Sequence, residues 1–276
     1  MTLAIYTAST QPHSGKTALC AGLLRRFQAD KYRVGYMKPV STGVRAAGQR
    51  YIGLDAHFIK YALGFPDNLD QMAPVLLTHD LLENAVSNGE QGLVDRVRTA
   101  YQAVSAHRDV VFLEGATHLR EGRVINLEPE QVGQLFNARQ LAVAPYQDTQ
   151  QVIDDLLAAR HRLGDSLVGV FINQTPEDRL EYTNTRIKPF LERRGVPVLA
   201  VLPQVNALRG ASVAELADGL NGEILCCHHA VDQMVEHLMV GAMDAALAFN
   251  YFRRTPNKAV ITSGDRLDLQ LSALET

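Results

Sequence analysis

The chain of 276 residues is 46% hydrophobic and 21% charged, with a formal net charge of −3, a balance ordinary for a globular protein. That charge speaks against nucleic acid or an anionic membrane surface as the main partner, and no uninterrupted apolar run approaches the ~20 residues of a membrane span. The three cysteines, Cys20 and the adjacent Cys226 and Cys227, make no disulfide framework and suit a reducing compartment. With no basic and apolar leader at the N-terminus, the expected location is the cytoplasm.

Residues 3–8 form an apolar, β-capable run that needs no alternation if it is a central parallel strand buried on both faces. The loop 9–14 follows, and Lys16 opens a helical pattern through Phe27 with apolar positions at 19, 23, 24 and 27. A second strand is expected over 33–40, ended by Pro39. Residues 41–90 are polar and hard to parse, with a helical stretch at 55–63 and Pro66 and Pro74 punctuating a long excursion. Beyond it the spacing predicts helix at 94–104, strand at 109–115, helix at 131–136, strand at 140–145, helix at 150–163, strand at 166–173, mostly helix at 177–194 and strand at 197–202. Strands and helices alternating in this way call for an α/β fold with a mostly parallel, doubly wound sheet, whose ligands sit beyond the C-terminal strand ends. Pro203 to Gly210 ends the pattern, giving expected domains 1–203 and 204–276. In the second, helix is expected at 213–220, extended chain at 223–225, mixed apolar chain at 231–243, helix at 244–252, strand at 258–262 and helix at 265–274.

Ser14-Gly15-Lys16-Thr17, set between a strand and a helix, fits a phosphate-binding P-loop. Loop and helix N-terminal N–H groups face an anion that the helix dipole favours, Lys16 reaches the β- and γ-phosphates, and the Thr17 hydroxyl ligates Mg2+. The usual first glycine of that motif is here Thr10, and Pro12 removes one N–H from the loop. Asp55 and Glu114 are the carboxylates suited to a hydrated Mg2+; Glu114 follows four apolar residues, whereas Asp55 by itself reads equally as a helix N-terminal acid. Lys38, with Ser41 and Thr42 after it, is either a substrate or phosphate contact or a surface lysine before a turn. Asn173 either hydrogen-bonds a nucleotide base or closes its strand in an Asx turn. Cys226-Cys227-His228-His229 are four consecutive residues whose side chains diverge, a poor spacing for one tetrahedral zinc. No Cys-His or Ser-His-Asp set can be nominated.

Residues 1–203 resemble the dethiobiotin synthetase group of P-loop proteins. The resemblance rests on residues 7–17, Lys38-Pro39-Val40-Ser41-Thr42-Gly43, Asp55, Phe112-Leu113-Glu114-Gly115, residues 169–173 and Val201-Leu202-Pro203. It implies ATP and Mg2+ at Ser14, Gly15, Lys16 and Thr17, with Asp55 and Glu114 completing the metal site. It further implies a substrate contact at Lys38 with Ser41 beside it, and adenine recognition by Asn173. Residues 206–276 resemble a DRTGG domain, on the stretch Val240-Gly241-Ala242-Met243 and residues 256–266, and that resemblance implies a shortened form of the domain. The two together are similar to the N-terminal half of long phosphotransacetylases, whose acetyl-transfer domain is not among these residues. Where dethiobiotin synthetases carry glycines after the acidic strand, this chain has Ala116-Thr117-His118. The resemblance therefore implies a Mg-ATP-binding regulatory module responding to a small-molecule effector, dimeric and acting beside a phosphotransacetylase catalytic domain in trans. Its rival is an ATP-dependent ligase of the dethiobiotin synthetase or cobyrinic acid diamide synthase type, and a third reading is a scaffold whose P-loop binds no nucleotide. Asp265 and Arg266 form either a ligand site or an ion pair that holds the fold.

Overall fold

The computed structural model describes residues 2–48, 50–89, 92–208 and 210–276, divided into two compact units, Met1–Gln204 and Val205–Thr276. In the first unit β1 (Leu3–Ser9) leads to α1 (Lys16–Ala29) and β2 (Val34–Met37). The excursion that follows holds β3 (Val40–Ser41), a hairpin of β4 (Val44–Ala47) and β5 (Arg50–Gly53), α2 (Leu54–Leu63), α3 (Leu69–Met72), β6 (Val75–Leu76) and α4 (His79–Asn88). Then come α5 (Leu93–Ser105), β7 (Val110–Glu114), α6 (Pro129–Leu135), β8 (Arg139–Pro145), α7 (Thr149–Leu163), β9 (Leu167–Thr175), α8 (Glu177–Tyr182), α9 (Lys188–Glu192) and β10 (Val198–Pro203).

Six of these strands make one parallel sheet in the order β10-β9-β8-β1-β7-β2. Its central strands read as near-continuous apolar runs because helices cover both faces. On one face Cys20, Leu24, Ala56, Ile59 and Met72 of the first three helices pack on Val34, Tyr36, Val110 and Phe112. On the other, Val97, Ala100 and Val104 of α5 and Val152, Leu156 and Ala159 of α7 close the larger core.

The second strand is shorter than the sequence predicts. It ends at Met37, and Lys38 N–H already bonds the Met72 carbonyl outside the sheet; Pro39, lacking an N–H, cannot extend the ladder. Val40–Ser41 instead pairs in parallel with Val75–Leu76. α4 was not anticipated within the excursion: only Ala85 of its ten residues is buried, and its start is marked by Thr78, whose hydroxyl accepts from Leu81 N–H. The helical run expected over 177–194 is interrupted by a π-helical turn at Thr183–Ile187, just before Pro189, which has no N–H to give.

In the second unit β11 (Ala211–Ser212) pairs antiparallel with β12 (Met234–Val235), and α10 (Val213–Leu220) starts on a capping box of Ser212 and Glu215. β13 (His237–Val240) runs parallel to β14 (Lys258–Ile261). α11 (Ala245–Arg254) and α12 (Leu267–Leu274) bring Ala248, Phe252 and Leu269 into a small core. Residues 223–225, expected to be extended, lie in no strand. Arg266 pairs with Asp268 (2.8 Å) and donates to the Met243 carbonyl (3.0 Å), while Asp265 accepts from Ser263; of these only the bond to Met243 reaches a distant part of the chain. Among the described residues no helix is long and apolar enough to cross a membrane.

Gly35 shows how closely α5 seats on β2. A Cβ there would lie 3.0 Å from the Val104 carbonyl oxygen and 3.1 Å from Val111 Cγ2. Gly35→Ala is therefore expected to destabilise the protein by about 1–2 kcal/mol in urea unfolding, overpacking outweighing the entropy gained in the unfolded chain. An unchanged or raised stability would mean that α5 yields without cost.

Candidate functional site

Every residue of the candidate site is delivered by the C-terminal ends of β1, β2, β7 and β9 or by the helices that follow them. From β1 the chain enters the loop 10–15. Thr10, at the position of the usual first glycine, keeps the strand's course: its N–H bonds the Val143 carbonyl at 3.0 Å, and its φ is not among the positive ones. A side chain is tolerated there because the left-handed turns fall later, at His13 (φ 54°) and Gly15 (φ 80°). Gly15 also has no room for a side chain, since its Cβ would stand 2.4 Å from Asn173 Nδ2. Ser9 and Ser14 hydroxyls meet across the loop at 2.6 Å. From β9, Asn173 Nδ2 donates to the Ser14 carbonyl (2.7 Å) and Gln174 Nε2 to the His13 carbonyl (2.8 Å). Asn173 is thus engaged with the loop backbone itself.

Beyond the loop lies a charged cluster centred on Glu114, which is 0% exposed. Its Oε1 accepts from Thr17 Oγ1 at 2.7 Å, Lys16 Nζ at 3.0 Å and Lys38 Nζ at 3.2 Å. Its Oε2 accepts from Tyr36 Oη at 2.9 Å. Lys38 bridges to Asp55 on α2, and Thr17 lies 3.3 Å from Asp55 Oδ1. Lys16 and Lys38 are themselves 7% and 3% exposed. Burial alone would raise the Glu114 carboxyl, but the two ammonium groups and the hydrogen bonds from Thr17 and Lys16 outweigh it and hold the group at about 2. Burial lowers Lys38, yet the Glu114 and Asp55 charges leave it above its ordinary value. Burial and the Glu114 charge push the Tyr36 phenol far up, keeping it a donor. Burial lifts the Cys20 thiol on α1 to about 12, so it is no nucleophile.

Lys16, Thr17, Lys38, Asp55 and Glu114 therefore meet in one cluster, with Ser14 and Gly15 on the adjoining loop and Asn173 of β9 bonded to it. Ser41 has no hydrogen bond to any of them. It is fully buried in β3, its Oγ is unpartnered, and it packs against Gly53. Its neighbour Thr42 meets Thr117 hydroxyl to hydroxyl at 3.0 Å, and Thr117 N–H bonds Glu121. Tyr36 and Gln174 escaped the sequence reading. The signal for Tyr36 was a phenol in a wholly apolar strand, whose hydroxyl must find a partner when buried. Cys226, Cys227, His228 and His229 are exposed, and among the described residues no three His, Cys, Asp or Glu side chains are grouped to hold a metal.

The family model described as AAA domain matches residues 4–212, and that described as DRTGG domain matches residues 215–276. A phosphate acetyltransferase of Synechocystis is 25% identical over 285 residues, covering 100% of this chain and 40% of that protein. One from Nitratidesulfovibrio vulgaris is 24% identical over 294 residues, 98% of this chain and 39% of its own length. An ATP-dependent dethiobiotin synthetase of Caldicellulosiruptor saccharolyticus is 22% identical over 214 residues, 74% of this chain and 86% of its own. The chain thus spans about two fifths of the phosphate acetyltransferases it matches.

Because Glu114 sits below its unfolded value of 4.5 in the folded chain, its contribution to stability is full above that pH and is lost as the pH falls towards about 2. Urea unfolding is expected to show wild type losing stability steadily across that interval. Glu114→Gln, less stable at pH 7 because Lys16 loses its carboxylate and Lys38 one of its two, should lose less over the same range. Parallel losses in the two proteins would place the acid sensitivity elsewhere.

Proposed function

The chain belongs to the AAA domain family and carries a DRTGG domain, and on that premise we propose that it is a Mg-ATP-binding module whose nucleotide state regulates acetyl-phosphate metabolism. One observation carries this reading: a positive-φ glycine at the start of α1 stands beside a cluster of buried Lys16 and Glu114 with half-buried Thr17 and Asp55. The donor set fits the ion, for a hydroxyl and two carboxylates are the hard oxygen ligands that Mg2+ takes alongside phosphate oxygens and water. The N–H groups at Gly15, Lys16 and Thr17 open a helix of fourteen residues, the arrangement that favours a phosphate. When bound, Mg2+ would neutralise charge on the phosphates. This chain's own part is to hold it between Thr17, Asp55 and Glu114, to set Lys16 against the β- and γ-phosphates, and to keep the Glu114 carboxylate oriented through Tyr36.

Lys38 supports a regulated site rather than a permanently open one. Its ammonium bridges Asp55 and Glu114 and supplies there the positive charge that a dication would bring. Loading the site therefore moves Lys38, and that movement is the switch. It is passed on through Asp55 and α2 and through the Thr42–Thr117 contact to the loop 116–128, shifting the population of that loop between two states. Ala116, Thr117 and His118 stand where the resemblance implies glycines in dethiobiotin synthetases, which favours sensing over ligation. The remaining parts of the proposal are a cytoplasmic homodimer, a small-molecule effector, and a phosphotransacetylase catalytic domain as partner in trans. Asn173 would turn from the Ser14 carbonyl to the base.

A second reading is an ATP-dependent ligase. It is favoured by the dethiobiotin synthetase relative, 86% of whose length is matched, and by the unpartnered Ser41 hydroxyl. There Lys38 and Ser41 would hold a carboxylate or carbamate while Lys16 stabilises charge on the transferred phosphoryl group.

Calorimetric titration of ATP with Mg2+ separates the readings. Wild type is expected to bind and Lys16→Ala to bind at least tenfold more weakly, about 1.4 kcal/mol, with no ADP formed in either sample. ADP released only when a diamine or carboxylate substrate is added would transfer the case to the ligase. Absence of binding in wild type would overturn both.

A further inference from the structure

α2 is apolar on two opposite sides. Ala56, Ile59 and Leu63 pack into the core that covers one face of the sheet, at the spacing of a helix with a single partner. Leu54, Phe58 and Tyr61 stand at i, i+4 and i+7, which at about 3.6 residues per turn gathers them in a stripe on the other side. They are 42%, 52% and 66% exposed. Tyr51, just ahead of the helix on β5, is 54% exposed. A helix that is apolar on both sides calls for a partner on both, and the nucleotide reading gives the outer stripe no role.

Neither charged residue of α2 belongs to this stripe. Asp55 is drawn into the Glu114 cluster by Lys38 and Thr17. Lys60 donates to the Phe65 and Asp67 carbonyls at 3.0 and 2.6 Å. His57 packs against Tyr61, with ring centroids 4.5 Å apart, so that ring is held before any partner arrives. An aromatic side chain buries about 150–250 Å2 when fully covered. The exposed parts of Phe58, Tyr61 and Tyr51, with Leu54, therefore offer roughly 400 Å2. That is about half of the ~800 Å2 each partner gives to a standard interface, a size that suits a reversible complex rather than an obligate one.

We propose that this stripe pairs with itself, α2 of one copy packing on α2 of a second about a two-fold axis through Phe58. In that register Phe58 meets its own counterpart, and Leu54 of each copy meets Tyr61 of the other. An isologous contact needs a patch that is complementary to itself. A stripe free of charge, with one large apolar residue on each side of a central ring, meets that condition. A charged partner would find no group on it to answer its charge. The contact supplies a surface for the homodimer in the proposed function and rests on that part of the reading alone; it needs no nucleotide.

The experiment is sedimentation equilibrium of the whole chain without nucleotide, over micromolar to submillimolar concentrations. Wild type is expected to dimerise reversibly with a micromolar Kd. Phe58→Glu and Phe58→Lys each set like charges against one another at the axis and should each raise Kd at least tenfold. An equal mixture of the two should recover association as a heterodimer, because opposite charges then face each other. Both variants should keep the Tm of wild type, since Phe58 is half exposed. A wild type that stays monomeric overturns the proposal together with the homodimer. A dimer that survives both charges overturns the α2 contact and leaves the homodimer standing. Variants that dissociate but do not recover on mixing overturn the two-fold register through Phe58.

Discussion

The first unit is arranged around one carboxylate that water cannot reach. Glu114 ends β7, a strand in which all five residues are buried, and an isolated charge at such a place would neutralise itself or unfold its surroundings. It stays ionised because one oxygen collects Lys16, Thr17 and Lys38 and the other takes Tyr36. Those four donors come from two segments, residues 16–17 and 36–38, both distant in sequence from Glu114. The strand order makes the convergence possible: β7 lies between β1, which leads to the loop and α1, and β2, which carries Tyr36 and ends beside Lys38. Shifting β7 by one residue against either neighbour would turn Glu114 to the other face of the sheet, leaving the buried Lys16 without its carboxylate and Lys38 with Asp55 alone. Register, loop conformation and charge pairing are therefore one constraint seen three ways.

This explains which parts could be read from the residues alone. Apolar runs ending in Glu114 and Asn173, and a strand leading into Gly15-Lys16-Thr17, announce themselves because buried parallel strands need apolar side chains on both faces. The polar groups at their ends stand out by contrast. Tyr36 did not stand out, since an aromatic ring fits a buried strand and only its hydroxyl betrays a second duty. Ser41 was read with Lys38 because the two share one short motif. The turn at Pro39 separates them, sending Ser41 into a pair with the β6 strand while Lys38 stays at the cluster. α4 lies in the polar excursion 41–90, where the sequence reading placed no helix after residue 63, and only one of its ten residues is buried. Gln140 was passed over because it precedes four buried apolar residues, and only its surroundings show that its amide oxygen lacks a hydrogen-bond partner.

The replacement at Thr10 has a similar lesson. A glycine missing from a phosphate-binding motif looks damaging on paper. In the folded chain the backbone at that position follows the strand, and the turns that demand positive φ fall at His13 and Gly15. In the second unit Asp265 and Arg266 resemble a ligand pair by adjacency alone. Arg266 instead spends its hydrogen bonds on Asp268 and, across the unit, on the Met243 carbonyl that precedes α11.

The central functional claim is that Lys38 holds the place of a metal ion between Asp55 and Glu114 and must leave when Mg-nucleotide enters. The most direct measurement is the Mg2+ concentration required for ATP binding, compared between wild type and Lys38→Met. With the competing ammonium removed, the account predicts that the variant binds ATP at severalfold lower Mg2+ than wild type. An unchanged Mg2+ requirement, or a higher one, would contradict it and leave Lys38 as a simple structural counter-ion.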